Sequence, residues 1–190
     1  FRTNIRAKFA LSYHKVMIIG LAPAAHGANR TGGVFTGDRS GDFLFASLHR
    51  TGFANQSLAR HVNDGLELFD AYVTAAVRCA PPANKPTPEE RDTCRPFIER
   101  ELMLLTEPKV FVALGQFGYQ VASSIFGVRP RPRFGHGVVV PLEEQGREAT
   151  RHIICSFHPS QQNTFTGRLT EEMLDQVFIR ARELAGLDPL

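Results

Sequence analysis

The sequence predicts an α/β protein of three layers, α/β/α, built on a central, mainly parallel sheet of four strands. Three observations carry this expectation. Val16–Ile19, a segment within Leu66–Val77, Lys109–Leu114 and Arg151–Phe157 are short, almost wholly apolar runs, as strands covered on both faces require. The stretches between them carry helical spacing, and strands alternating with helices give a parallel sheet. The first and last runs break at once into loops rich in Gly, Asn and Thr, and such sheets bind ligands at the carboxyl ends of their strands.

The elements follow in order. Phe1 to His14 is basic and starts without methionine, so native residues are expected upstream. After the first strand, the loop to Gly41 contains Gly20, Pro23, Gly27, Gly32, Gly33 and Gly37; either its backbone N–H groups approach a ligand or it serves chain reversal alone. Gly41–Thr51 places Phe43, Leu44, Leu48 and His49 at helical spacing, with Ser40 or Asp42 as the cap. The second strand, within Leu66–Val77, delivers Arg78 and Cys79 at its end.

Thr87-Pro88-Glu89-Glu90 has an N-cap residue, a proline at the first helical position and early carboxylates, and starts a helix running through Cys94 to Leu105. Lys109–Leu114 is the third strand, and Gly115 opens a helix through Gln120 and Ser124. Phe126–Pro141, with three prolines and three glycines, reads as an irregular loop ending in a short strand at Val138–Val140. Glu143–Ala149 is a hairpin or an exposed turn. Arg151–Phe157 is the fourth core strand, and Leu169–Leu184 closes the chain as an amphipathic helix with Leu174, Val177, Phe178 and Ala181 inward.

Composition limits the function. With 190 residues, 43% of them hydrophobic, the chain forms one core and a single domain over 1–190. No apolar run approaches the roughly 20 residues that span a bilayer, and no apolar secretory segment opens the chain, so a cytoplasmic protein without membrane partners is expected. The net charge is +3, and the cations are mostly Arg, which suits bidentate contact with phosphate; an Arg-favouring genome gives the same composition.

Two motifs carry the chemistry. GLAPAAHGANRTGGVFTGD follows the first strand, HPSQQNTFTG follows the last core strand, and CAPPANKPTPEERDTC lies between them. Together they resemble the uracil-DNA glycosylase superfamily, most closely its type 5 (UDGb) branch, and the resemblance runs from Lys15 to about Leu187. It implies excision of uracil, and of other deaminated bases, from DNA by a monomer that flips the base out of the duplex. The implied cleavage is dissociative: the sugar becomes oxocarbenium-like and the base leaves as an anion, so a donor aimed at that base gives the largest help.

His158, at the mouth of a strand and followed by Pro159, matches the histidine of the family motif and is that donor; alternatively it is a structural histidine. Gly20, Leu21, Ala22, Pro23 and Ala24 would line the base. Other branches place a carboxylate or amide where this chain has Leu21 and Ala22, so no strong base stands there. Asn29 positions the water or the base edge, or is a left-handed turn residue. Phe35 stacks on the base, or anchors the loop to the core. His26 meets phosphate or base, or is an ordinary surface histidine. Some relatives carry an Asn at the second strand where this chain has Thr74, Ala75 and Ala76, which implies weaker exclusion of other bases at Ala75.

Ser160–Gly167 would press into the minor groove, with Gln161 and Gln162 as a polar plug where relatives often have Pro-Leu. Ser160, Asn163, Thr166 and Arg168 would contact the DNA; Asn163 and Thr166 equally suit capping of the last helix. Cys79 and Cys94 resemble half of a four-thiolate 4Fe–4S site. The other pair comes from an upstream segment, or the cluster is lost; Cys155 reads as core packing. Two rival functions stand beside this one: a non-catalytic member that binds damaged DNA, and a phosphate-binding hydrolase using His26 and His158, which has no nucleophile motif to support it.

Overall fold

The computed structural model describes residues 13–61, 63–144 and 147–190. Most of the basic stretch Phe1–His14 therefore lies outside the described residues, as do 145 and 146 within Glu143–Ala149.

The strands are β1 (Val16–Gly20), β2 (Ala71–Ala75), β3 (Val110–Leu114), β4 (Val139–Glu144) and β5 (Arg147–Ser156), in the sheet order β2-β1-β3-β5-β4. β2, β1, β3 and β5 run parallel, and β4 pairs antiparallel with β5. The sheet thus has five strands where four were expected. The segment read as a stub at Val138–Val140 continues through Pro141, which stands opposite His152. β4 is an edge strand, the place where a proline is tolerated because one side of the strand needs no partner. β4 and β5 form a hairpin, which resolves the two readings of Glu143–Ala149.

Alternation along the strands divides the core. Val16, Ile18, Val110, Val112 and Ile154 face one layer, formed by α2 (Arg39–Arg50) and α6 (Glu171–Ala185), through Leu44, Phe45, Leu48, Leu174, Val177 and Phe178. Met17, Ile19, Phe111, Ala113 and Ile153 face the other, formed by α3 (Pro88–Leu104) and α4 (Gly115–Ile125), through Ile98, Tyr119, Val121 and Ala122. The inward face of α2 includes Phe45, while His49 is exposed, contrary to expectation.

Helix ends follow local chemistry. Thr87 and Glu90 form the reciprocal capping box of α3, with Glu90 N–H donating to Thr87 Oγ1 at 3.1 Å and Thr87 N–H to Glu90 Oε2 at 2.7 Å. α2 is capped by Asp38 rather than by Ser40 or Asp42: Gly41 N–H donates to Asp38 Oδ1 at 2.9 Å, because the helix starts two residues earlier than its apolar pattern. Asp175 of α6 accepts from Arg50 Nε at 2.7 Å and from Ser47 Oγ at 2.5 Å, tying the two helices of that layer together.

The connectivity places the site. From β1 the chain moves outward to β2 and then returns to the opposite side of β1 as β3, so the winding reverses between β1 and β3. A crevice opens at the carboxyl ends of strands at such a switch point.

Candidate active site

Three segments converge at that crevice: the loop after β1, the start of α4 after β3, and the segment after β5. The loop after β1 contains α1 (Ala28–Thr31) and ends at the Asp38 cap. Its inner end is held to the second strand, since Ala76 N–H donates to Gly20 O and Val77 N–H to Leu21 O, both at 3.0 Å. Gly20 is paired with Ala75, which is buried, so these two predicted base-lining positions are brought together by the sheet itself. Leu21, Ala22 and Ala24 are half-buried and Pro23 is buried.

Phe35 crosses back over this strand end. Its ring lies directly on Gly20: a Cβ there would meet Phe35 Cε2 at 2.4 Å. Glycine is required at position 20 by this approach. Phe35 is itself buried, so it does anchor the loop, and it also stands beside His158 with the ring centroids 5.9 Å apart. The two readings of Phe35 are compatible.

His158 follows β5 and packs against the turn between β3 and α4. Gly115 has a φ of +80°, and a Cβ on it would lie 3.2 Å from His158 Cβ. Glycine serves both demands at once. Burial strips water from the imidazole and pushes its pKa down to about 4. His158 is therefore neutral at pH 7, a hydrogen-bond donor and acceptor without charge.

The backbone around His158 is fixed on two sides. Asn163 Nδ2 donates to His158 O at 2.8 Å, which joins α5 (Gln161–Phe165) to the histidine. Phe157 N–H donates to His136 Nδ1 at 3.1 Å, and His136 Nε2 lies 3.2 Å from Met173 O, so a neutral His136 bridges β5 and α6. Desolvation lowers the His136 pKa and favours this form. The sequence signal for His136 was weak: one histidine between two glycines in a stretch read as irregular loop.

Other predicted residues fall differently. Asn29 is exposed on α1, in a helical turn, so the left-handed reading of it is corrected; helix formation from Ala28 sets its backbone. His26 is also exposed. Gln161, Gln162, Thr166 and Arg168 are exposed, while Ser160 and Asn163 are half-buried. Asn163 and Thr166 do not cap the last helix. Thr170 does, accepting from Met173 N–H at 3.2 Å, while Thr166 Oγ1 donates to Gln162 O at 2.6 Å.

Beside β2, Glu101 of α3 collects three donors: Thr74 Oγ1 at 2.7 Å, Tyr72 Oη at 3.0 Å and the Arg78 guanidinium at 2.7 Å. Arg78 is thereby turned towards α3. Its backbone N–H donates to Cys94 Sγ at 3.4 Å, which brings the chain next to Cys79 onto the second thiol. Cys79 is exposed and Cys94 buried. The backbone beside Cys79 thus lies against Cys94, as a four-thiolate site shared by the two would require. Cys155 does not join them: it is buried in β5 with its pKa pushed up to about 12, a packing residue. Among the described residues no group of three or more His, Cys, Asp or Glu side chains is arranged to hold a metal ion, and no helix is long and apolar enough to cross a membrane.

A sequence profile of the uracil DNA glycosylase superfamily matches residues 10–182. A type-5 uracil-DNA glycosylase of Mycobacterium bovis is 51% identical over 177 residues, covering 92% of this chain and 64% of that protein. The type-5 uracil-DNA glycosylase of Thermus thermophilus is 48% identical over 174 residues, 91% of this chain and 77% of that one. A type-4 uracil-DNA glycosylase of Archaeoglobus fulgidus is 32% identical over 127 residues, 64% of this chain and 60% of that one. The chain thus spans 64% of the length of its mycobacterial relative. The two motifs of the site lie inside the matched region, and the chain belongs to the uracil-DNA glycosylase superfamily, in its type-5 branch.

Proposed function

We propose that the chain is a DNA-repair glycosylase that hydrolyses the N-glycosidic bond of uracil, and of other deaminated bases, in DNA. The observation that carries this reading is the half-buried, neutral His158 beside Phe35 over the carboxyl end of β1. The extruded base enters the crevice and lies against Phe35, whose π-face accepts any pyrimidine. As the C–N bond breaks, its electron pair goes to the base. His158 N–H donates to the developing anion, without charge of its own and without handing over its proton. Water then adds to the oxocarbenium-like sugar and loses a proton to solvent.

Leu21 and Ala22 supply no base for that water, and a strongly dissociative transition state, with the C–N bond largely broken and little bonding to water, needs none. Asn29, exposed on α1, is assigned to orient the water or the base edge. Gln161, Gln162, Thr166 and Arg168 are the exposed groups that meet the DNA, with Ser160 and Asn163 shaping the backbone between them.

Cys79 and Cys94 are assigned as two ligands of a 4Fe–4S cluster whose other thiolates lie outside these 190 residues. The Arg78 N–H on Cys94 Sγ supports this, because such donors stabilise thiolate charge. Three cysteines with no disulfide among them suit the reducing cytoplasm.

The test is release of uracil from a uracil-containing duplex. Wild type should release it, and His158→Ala should be slower by about 10² to 10³, the usual effect of removing one oxyanion-hole donor. Tight binding by wild type without release would make the chain a non-catalytic damage binder instead.

A further inference from the structure

From Pro108 to Leu142 the chain carries no Asp or Glu, and its cations there are Lys109, Arg129, Arg131 and Arg133. The three arginines alternate with Pro130 and Pro132, and all five residues of that strip are exposed. Elsewhere guanidinium groups are paired with carboxylates, Arg50 with Asp175, Arg78 with Glu101 and Arg95 with Glu99. Among the described residues no carboxylate pairs with Arg129, Arg131 or Arg133. The strip is nonetheless tied down: Tyr119 Oη donates to Pro132 O at 2.8 Å, and the centroid of the Phe134 ring lies 6.0 Å from that of Tyr119 and 6.2 Å from that of Phe157. Three unpaired charges are thus carried on a fixed backbone. Phe157 immediately precedes His158, and the Arg168 guanidinium stands 4.6 Å from the Phe157 ring centroid, so the strip begins beside the crevice. From there it leads back along α4, where Arg131 lines a groove between α3 and α4 with Arg91, Arg95 and Ser124.

We infer that Arg129, Arg131 and Arg133 form a rack for DNA phosphates that holds the duplex on one side of the extruded base. The inference rests on the reading above that the chain acts on DNA. A guanidinium is a planar fork that grips phosphate with two parallel hydrogen bonds, and here no carboxylate has to be displaced first. An acidic protein would answer the same charge, but protein interfaces are anchored by aromatic or apolar side chains that the partner buries. The strip offers none, because Phe134 is half-buried against Tyr119 and Phe157. Its continuity with the crevice also favours the nucleic acid, since a duplex presented to His158 already lies at one end of it. Four residues of chain reach at most about 14 Å, which covers about four phosphates of one strand at roughly 3.4 Å each. Such contacts fix register and carry no sequence preference. The prolines and the Tyr119 hydrogen bond lower the entropy lost on binding, because the backbone is ordered beforehand.

The experiment measures dissociation constants over a range of salt concentrations for a duplex carrying an uncleavable abasic-site analogue at its centre. With Arg129→Gln, Arg131→Gln and Arg133→Gln combined, the slope of log affinity against log salt should shrink by about 2 to 3, close to 0.9 for each phosphate contact removed. The same three positions changed to Lys should keep most of the slope. Lys109→Gln removes an exposed charge before the amino end of β3, away from the crevice, and should leave the slope nearly as it was. Trimming the duplex on one side of the analogue should abolish the difference between wild type and the triple Gln variant, while trimming the other side should preserve it. Single-turnover uracil release at saturating protein should be unchanged. Equal slopes for wild type and the triple Gln variant overturn the inference and leave the strip to an acidic protein. A difference that survives trimming on either side, or an equal loss in Lys109→Gln, also overturns it, because net charge alone would then explain the effect. If wild type binds the duplex but releases no uracil, the glycosylase reading fails, while the slopes still decide the role of the three arginines.

Discussion

The rings of Phe35 and His158 stand 5.9 Å apart, inclined by 33°, and Phe35 holds that position with a φ of +59°. A bulky residue in the left-handed region costs about 1–3 kcal/mol and persists only where its surroundings over-determine it. Here burial of the ring on Gly20 does so. The strain sits at the wall of the site, and the glycine beneath it is part of the same arrangement.

Gly20→Ala tests this dependence. The new methyl would fall 2.4 Å from Phe35 Cε2, so the ring must leave its place over the strand end. Stability should drop by about 1–3 kcal/mol, as for other overpacked sites. Excision should fall further than stability loss explains. The checks are urea denaturation and single-turnover uracil release at a temperature where the variant stays folded; an unchanged rate would remove Phe35 from the site.

The pH dependence follows from His158. With its folded pKa near 4, below the ordinary imidazole value of 6.5, it stays neutral down to mildly acid pH. Protonation favours the unfolded chain, so the stability tied to the neutral ring is complete above the ordinary imidazole range and is lost as pH falls towards about 4. His136 and His152, also lowered by desolvation, act in the same direction. Single-turnover excision should show no His158 inflection near 6.5 and should fall only as pH approaches 4. A proton NMR titration of His158 gives the pKa directly.

Glu101→Ala should destabilise by about 1–3 kcal/mol, the cost of leaving buried donors without an acceptor. It removes the shared acceptor of Thr74 Oγ1, Tyr72 Oη and the Arg78 guanidinium at once. Glu101→Gln keeps two of these contacts and should cost less. Thermal denaturation of both variants measures the difference, and equal midpoints would show that the network contributes nothing.

If Cys79 and Cys94 hold the proposed 4Fe–4S cluster, Cys79→Ser and Cys94→Ser should each lower bound iron and visible absorbance, while Cys155→Ser should not change either. Iron analysis reads this directly, and unchanged iron in both of the first two variants would remove them as ligands.

The sequence by itself determined the local pieces. Strand runs announced themselves because a strand covered on both faces must be apolar throughout, and Thr87 to Glu90 announced a helix start because its donors need those side chains. His158 and Phe35 were legible from the motifs that contain them. The role of Pro141 was not, since a proline reads as a strand breaker until the sheet order shows that it stands on an edge. Asp38 was missed as the cap because the first turn of α2 carries no apolar signal. The neutrality of His158 belongs wholly to the tertiary structure: desolvation depends on what surrounds the ring, and Phe35 and Gly115, more than forty residues distant in sequence, reach it only once β1, β3 and β5 lie side by side. The same assembly brings Arg39 to Phe165. Periodicity reports what each segment buries, but a pKa is a property of neighbours that local sequence does not name.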